Sequence, residues 1–326
     1  MKKQKLLRRV VFFIMAALAT MLLAGCENYI VLNPKGPVAE TQYRLIIISI
    51  ILCLVVVIPV LAMLVYVVWR YRDKPGNKAP YTPEWVDSKT LEIVWWGIPI
   101  VIIAILGFFT VRDTFALAKP QDPETKPLTI QVTSLDWKWL FQYPEQGIAT
   151  VNYIEIPTGV PVQFVVTSDA PMNSFWIPQL GGQTYTMPGM AMGLSLKANE
   201  PGEYFGSGAN FTGEGFAHMQ FKVVAKSQAE FDKWVQSVKQ TAPALTKDGY
   251  KELAKPGISD KQFYSSFPPE LFKEIVDKNG GQYYKQHEHH MKMNQNTNHG
   301  DMNHDANQHM EHGANQHEMS GMKADK

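Results

Sequence analysis

Residues 206–219 read GSGANFTGEGFAHM and lie near the end of a series of short apolar and aromatic segments. These segments begin near residue 126, recur at short intervals and are separated by Pro and Gly. This pattern predicts an all-β sandwich or small barrel. The predicted strands are 128–132, 151–156, 162–167, 175–177, 194–198 and 221–225. The surroundings of residues 206–219 suggest a metal-binding loop, but the stretch holds almost no metal ligands.

The chain has 326 residues and a formal net charge of +1. This length predicts two or three structural units, and the near-zero charge gives no electrostatic case for binding nucleic acid. Apolar residues are concentrated in the first third, whereas the last part of the chain is very polar. The sequence therefore divides into a membrane part and an aqueous part.

The amino terminus has the pattern of a secretory signal, with basic residues followed by an apolar run over 10–24. The run ends in Leu23-Ala24-Gly25-Cys26, which resembles a bacterial lipobox and implies cleavage before Cys26 and lipid on its thiol. Two alternatives stay open, namely an ordinary signal with a chance cysteine and an uncleaved first helix. Lipid together with membrane spans would anchor the chain irreversibly.

Two apolar runs are long enough to cross a bilayer. The first ends at a basic stretch that the positive-inside rule assigns to the cytoplasm, so the second returns the chain to the external side of the membrane. The predicted parts are a signal peptide (1–25), an external linker (26–43), transmembrane helices (44–70 and 91–112) joined by a cytoplasmic loop (71–90), a β-domain (113–225), a helical region (226–285) and a tail (286–326).

The carboxy-terminal parts differ from the β-domain. In the helical region, Phe231, Trp234, Val235 and Val238 recur with the period of an amphipathic helix. The tail is low in complexity, holds eight of the nine histidines and is predicted to be disordered. It is either a solvating tail or a weak site for copper or similar metals.

Motifs inside the β-domain carry a family resemblance. Residues 129–145 read TIQVTSLDWKWLFQYPE, residues 173–180 read NSFWIPQL, and Pro188-Gly189 precedes the stretch 206–219. Their order, behind two membrane spans, resembles subunit II of the haem–copper terminal oxidases over about residues 26–280. The resemblance implies a two-helix transmembrane hairpin followed by an external cupredoxin-like β-barrel, a membrane α plus all-β fold.

Cytochrome c oxidases of that family hold a dinuclear copper centre in the barrel. The resemblance implies that its ligand positions here are Asn173, Gly208, Asn210, Thr212, Phe216 and Met219. Of these only Met219 keeps a copper-binding side chain, and both cysteines, Cys26 and Cys53, lie elsewhere. No metal is therefore expected in this domain. His218 lies one residue from the ligand register and is interpreted as a surface histidine.

The missing ligands, the stretch DWKW…YPEQGIATVN and the aromatic-containing carboxy-terminal region resemble the quinol oxidase branch. That resemblance implies a structural and assembly subunit that binds no cofactor, beside a subunit I that holds the haems, the copper and the quinol site. It implies further small subunits and membrane lipid as partners, quinol reached through subunit I, and no contact with cytochrome c. We also expect Phe216 and its neighbours to fill the former metal volume as packed core.

Glu92 and Trp137 have two interpretations each. Glu92 starts the second span in an E-x-x-W…I-P context; it is either the entrance of a proton path, as in family members, or a carboxylate that stabilises a helix amino terminus. Trp137 and Trp139 are predicted to lie on one face of a strand, at an interface with subunit I. Trp137 is alternatively a remnant of an electron-transfer site.

Two other classes of function stay open. The chain could be a non-catalytic membrane lipoprotein whose inert cupredoxin domain serves binding or copper handling. A cytochrome c oxidase subunit is nearly excluded by the missing ligands. In each case the expected location is the bacterial cell membrane, with the carboxy-terminal domain on the external side.

Overall fold

The computed structural model describes residues 29–80, 82–117, 122 and 125–281. The predicted signal peptide, lipidated Cys26 and the tail 286–326 lie outside these residues and stay predictions from the sequence.

Two long helices come first in the described chain. Helix α1 spans Pro37–Arg70 and helix α2 spans Lys89–Leu117. Both are long and apolar enough to cross a membrane, and each accommodates one proline in its interior. The two predicted membrane helices are therefore present, and both reach further towards the β-domain than the predicted limits of 44 and 112.

The following domain contains eleven strands within the described residues. They are β1 (Leu128–Leu135), β2 (Lys138–Tyr143), β3 (Ile148–Val151), β4 (Tyr153–Pro157), β5 (Pro161–Ser168), β6 (Asn173–Trp176), β7 (Thr184–Thr186), β8 (Met192–Lys197), β9 (Gly202–Gly208), β10 (Gln220–Lys226) and β11 (Gln262–Tyr264). One sheet has the order β11-β3-β2-β1-β5-β8 and the other β4-β10-β9-β6-β7. The predicted β-sandwich is confirmed.

The core between the sheets is built from alternate residues of the strands. On β2, Trp139, Phe141 and Tyr143 point into this core. The rings of Phe175 and Phe221 stack 5.1 Å apart at its centre. Phe221 pairs with Gly206 across the β9–β10 ladder, and a Cβ on Gly206 would come within 2.1 Å of the Phe221 ring. Glycine at this position therefore makes room for the central aromatic pair.

A carboxy-terminal layer covers the other face of the first sheet. Helix α3 (Gln228–Thr241) packs Phe231, Val235 and Val238 into the core between the sheets, and the layer itself contains helices α4 (Lys247–Leu253) and α5 (Leu271–Lys278). A second apolar cluster joins Leu140 of β2 to Leu253 and Leu271 of this layer. Because both faces of the sheet are covered, every residue of β2 is buried, including polar Lys138 and Gln142.

The start of α1 is part of the external domain. Val38 and Ala39 are buried, and Val38 belongs to the core between the sheets. Backbone hydrogen bonds join Lys35 to Gln179 and Asn199, and Ala39 to Leu180. The segment predicted as an external linker (26–43) is therefore helical from Pro37 onwards, and the apolar residues of its first helical turn pack under the sandwich.

Candidate functional site

Four of the six positions that correspond to copper ligands come together between β6, β9 and β10. Asn173 begins β6 and is completely buried. Its Oδ1 accepts hydrogen bonds from the backbone N–H groups of Ser174 at 2.7 Å and Asn210 at 3.2 Å. Because two N–H donors face the carbonyl oxygen, the amide Nδ2 points the other way, and it donates to Met219 Sδ at 2.9 Å.

Met219 closes this group from the side of β10. It directly precedes that strand, is buried, and its carbonyl oxygen accepts from the N–H of Gly208 at 3.0 Å. Trp139 Nε1 donates to the same oxygen at 3.4 Å. Asn173, Gly208, Asn210 and Met219 are called the Asn173 cluster below. Amide and thioether groups of this cluster occupy the position that the resemblance assigns to copper.

The remaining two positions lie at the rim. The carbonyl oxygen of Thr212 accepts from Trp137 Nε1 at 2.9 Å. Phe216 is only partly buried, and its ring lies 5.7 Å from that of Phe211, which is 80% exposed. The prediction that Phe216 fills the former metal volume is therefore wrong. The short 3₁₀ turn Phe216–His218 turns the ring outwards, and Asn173 occupies the interior instead.

The two tryptophans of the DWKW stretch do not share a strand face, so that prediction is also wrong. Trp137 lies in the turn between β1 and β2 with a φ of 64°, and its ring packs on the backbone of Gly213 and Gly215. Trp139 lies on β2 in the core, in edge contact with Phe175 and Phe221. The prediction assumed that side chains alternate between the two faces of one continuous strand from Trp137 to Trp139. The positive φ of Trp137 places this residue in the turn before β2, so the alternation does not extend to it.

The Asn173 cluster has no chemistry suited to metal. It offers one thioether, and amides that are already hydrogen-bonded, whereas copper centres require thiolate and imidazole. Among the described residues, no group of three or more His, Cys, Asp or Glu side chains could hold a metal ion. His218, the nearest imidazole in the sequence, is exposed as expected. The residues present do not fit the copper centre of the family's cytochrome c oxidases.

Glu92 lies where the sequence indicated, in the first turn of α2. Its backbone N–H donates to the carbonyl oxygen of Ser88 at 3.0 Å, and its side chain is exposed. Both interpretations of this carboxylate fit a helix amino terminus. Glu92 lies at the end of α2 that is remote from the β-domain, whereas the Asn173 cluster lies inside that domain. The structure therefore does not bring these candidate residues together.

Sequence reasoning missed a polar group that holds the carboxy-terminal layer. The carboxylate of Asp169, with a side chain 3% exposed, accepts from Tyr250 Oη at 2.7 Å, Lys278 Nζ at 2.9 Å and Asn279 Nδ2 at 3.0 Å. Burial alone would raise the pKa of Asp169, but the hydrogen bonds from Asn279, Tyr250 and Lys278 bring it below its usual value. The partners are distant in sequence, so no local motif indicated them.

A second missed group lies at the external ends of the two long helices. Asp113 is the only buried residue described in α2, and it binds both Arg44 of α1 and Arg112. The signal was present, because an Arg-Asp pair directly after an apolar run is unusual in a membrane helix.

Three stretches match families of known proteins. Residues 33–112 match the family described as Cytochrome C oxidase subunit II, transmembrane domain, and residues 145–227 match Cytochrome C oxidase subunit II, periplasmic domain. Residues 239–281 match the family described as COX Aromatic Rich Motif, which covers most of the carboxy-terminal layer.

Similar curated proteins agree with one another in their names. Quinol oxidase subunit 2 of Bacillus cereus is 48% identical over 249 residues, covering 76% of this chain and 86% of the relative. Cytochrome bo(3) ubiquinol oxidase subunit 2 of Pseudomonas putida is 50% identical over 273 residues, covering 83% of this chain and 86% of the relative. Ubiquinol oxidase subunit 2 of Acetobacter aceti is 44% identical over 280 residues, covering 85% of this chain and 90% of the relative.

Among solved structures, the periplasmic domain of subunit II of cytochrome oxidase from Bradyrhizobium japonicum is similar to part of this chain. It is 22% identical, with a TM-score of 0.35, and the match covers 38% of this chain and 97% of that one.

Proposed function

Because the chain belongs to the quinol oxidase subunit 2 family, we propose that it is the second subunit of a membrane complex that oxidises quinol and reduces oxygen to water. The Asn173 cluster is the observation that carries this proposal. Its residues do not suit copper, so electrons from a soluble metalloprotein would find no acceptor at this position. Electrons that arrive from quinol inside the membrane do not need one.

The chain itself then has a structural role and binds no redox cofactor. We assign the haems, the copper and the quinol site to a larger subunit I, and contacts with subunit I to the two long helices. Their apolar side chains are exposed along both helices, as expected for surfaces that contact lipid or another membrane protein. Two spans and a periplasmic-type domain fit a bacterial membrane protein with an external carboxy-terminal domain.

Purification and turnover test this proposal together. The tagged full chain should co-purify with a haem-bearing membrane subunit, and the complex should consume oxygen with quinol and not with reduced cytochrome c. The isolated chain should show no absorption band of a dinuclear copper centre after incubation with copper. Oxygen consumption supported by cytochrome c alone would contradict the assignment. Purification of the chain without any haem protein would favour the alternative, a lipoprotein that uses an inert domain for binding.

For Glu92, we propose a role at the entrance of a proton path. Its place in the first turn of α2, beside exposed Trp95 and Trp96, puts a carboxylate at a membrane boundary, where it can exchange protons with water. Glu92→Gln should slow proton uptake and turnover of the assembled complex, while Glu84→Gln, in the preceding loop, should leave both unchanged. Unchanged turnover and pumping in Glu92→Gln would leave only the helix-terminus role.

For Cys26, we propose cleavage before the cysteine and attachment of lipid to its thiol. Mass spectrometry of the mature chain should show an amino terminus at Cys26 with the added mass of acyl chains. Cys26→Ser should abolish that mass, whereas Cys53→Ser should not.

For the tail, deletion of 286–326 tests a role in copper handling. Normal assembly and activity of the complex under copper limitation would mean that the tail is only a solvating segment.

A further inference from the structure

The charged group at the external ends of the two long helices is pre-organised. Asp113 Oδ2 accepts from Arg44 Nη2 at 3.1 Å, and Asp113 Oδ1 accepts from Arg112 Nε at 2.9 Å and lies 2.8 Å from Arg112 Nη2. The Asp113 side chain is 3% exposed, whereas those of Arg44 and Arg112 are 53% and 47% exposed. The carboxylate therefore fixes two guanidinium groups side by side while leaving part of each open.

The position of this group relative to the membrane follows from the sequence. Arg44 directly precedes the apolar part of α1, and Arg112 directly follows that of α2. The basic loop that contains Arg72 and Lys74 is at the opposite ends of these helices. The two arginines therefore lie at the external boundary between hydrocarbon and water.

The arginines carry a surplus of positive charge there. Two guanidinium groups share one carboxylate, and a guanidinium has five N–H donors, of which Asp113 uses few. Among the described residues, Asp113 is the only carboxylate within 4.0 Å of either guanidinium, and Glu40, four residues before Arg44, accepts from Asn199. The N–H donors that Asp113 leaves free are therefore open to an additional anion.

The immediate surroundings are apolar. The Arg112 guanidinium lies 5.0 Å from the centre of the Phe109 ring. Phe108, four residues before Arg112, lies on the same helix face one turn closer to the membrane interior and is 65% exposed. A ligand at the two arginines would thus meet cationic donors on its polar side and aromatic carbon on the membrane side.

We propose that Arg44 and Arg112 bind the phosphate of an anionic phospholipid in the external leaflet, whose acyl chains lie along Phe108. Guanidinium groups form paired hydrogen bonds with phosphate oxygens, and Asp113 keeps them oriented for this contact. An acidic segment of a partner protein would satisfy the charges as well, but it would not match the exposed aromatic ring on the membrane side.

Lipid selectivity of the full chain in nanodiscs tests the proposal. The probes are phosphatidylglycerol and phosphatidylcholine with the same acyl chains, and the readout is the ratio of the two lipids retained in native mass spectrometry. The wild-type chain should retain phosphatidylglycerol preferentially. Each of Arg44→Gln and Arg112→Gln should reduce this preference about fivefold. Lys222→Gln, which removes one exposed positive charge from β10, is the matched control and should not change it.

A combined variant serves as the control for correct folding. Loss of both arginines would leave Asp113 buried without a cation, so the double variant also carries Asp113→Asn. Its preference for phosphatidylglycerol should disappear while its circular dichroism spectrum stays that of the wild type. Equal retention of both lipids by the wild type would overturn the proposal, as would an unchanged preference in the combined variant. Displacement of the lipid by equimolar inorganic phosphate would also overturn it.

Discussion

Gly208 lies directly against the side-chain amide of Asn173. A Cβ on Gly208 would lie 2.9 Å from both Nδ2 and Oδ1 of Asn173. The two residues stand at positions that the family resemblance assigns to a copper-binding Cys and His, and here each is suited to the other. A buried amide occupies the space, and the facing residue has no side chain to compete for it.

We expect Gly208→Ala to destabilise the full chain by about 1–3 kcal/mol, because the added methyl group would displace a buried, fully hydrogen-bonded amide. Thermal unfolding followed by circular dichroism measures the effect. Gly107→Ala is the control, since nothing lies within 4 Å of a Cβ at that position in α2. The pair Asn173→Ala with Gly208→Ala should be more stable than the sum of the single effects. Additive losses would contradict the contact.

Tyr250→Phe should loosen the carboxy-terminal layer. The change removes the hydrogen bond to the Asp169 carboxylate, which is worth about 1.5–3 kcal/mol for a charged acceptor. Hydrogen exchange should rise in α4 and α5 and stay unchanged in β9 and β10. Tyr264→Phe removes a hydrogen bond to neighbouring Gln262 only and serves as the control. Equal exchange in both variants would show that Asp169 does not hold the layer.

The same contact predicts a pH dependence. The pKa of Asp169 is lower in the folded chain than its ordinary value, so the folded state favours the ionised form. Its stabilising effect is full above the unfolded pKa of about 4 and is lost as pH falls through the lower folded pKa. The stability difference between wild type and Asp169→Asn should therefore be constant near neutral pH and shrink below about pH 4. A difference that grows on acidification would contradict this sign.

Trp137→Phe should destabilise the rim of the Asn173 cluster by about 1 kcal/mol, because Thr212 loses the N–H donor to its carbonyl oxygen. Chemical denaturation of the full chain measures the change. Trp85→Phe is the control, since that side chain is 65% exposed in the loop between the long helices. An identical small effect in both variants would mean that the indole N–H contributes nothing to the rim.

The sequence was sufficient for the parts of the fold that depend on periodicity and length. The apolar runs predicted both spans, and the short β-type segments predicted the sandwich. That the Asn173 cluster offers copper no thiolate or imidazole follows from the residue types alone, because ligand chemistry is a property of residue types.

What failed depended on geometry between residues distant in sequence. Trp137 and Trp139 were assigned to one face because nothing in their spacing reveals a turn with positive φ between them. Phe216 was expected inside because it stands at a position that the family resemblance assigns to a copper ligand, but the 3₁₀ turn directs it outwards. The contacts of Asp169 join residues 81 and more positions apart, which no local pattern predicts.

The burial of Val38 in the core of the sandwich has a mechanical consequence. A domain that follows a membrane helix through a flexible tether swings freely and samples many heights above the bilayer. Here the first turn of α1 is packed into the domain, so the tilt of that helix determines the height and the orientation of the sandwich relative to the membrane. A small rotation of α1 in the membrane would therefore be magnified into a larger sweep of the domain's far edge.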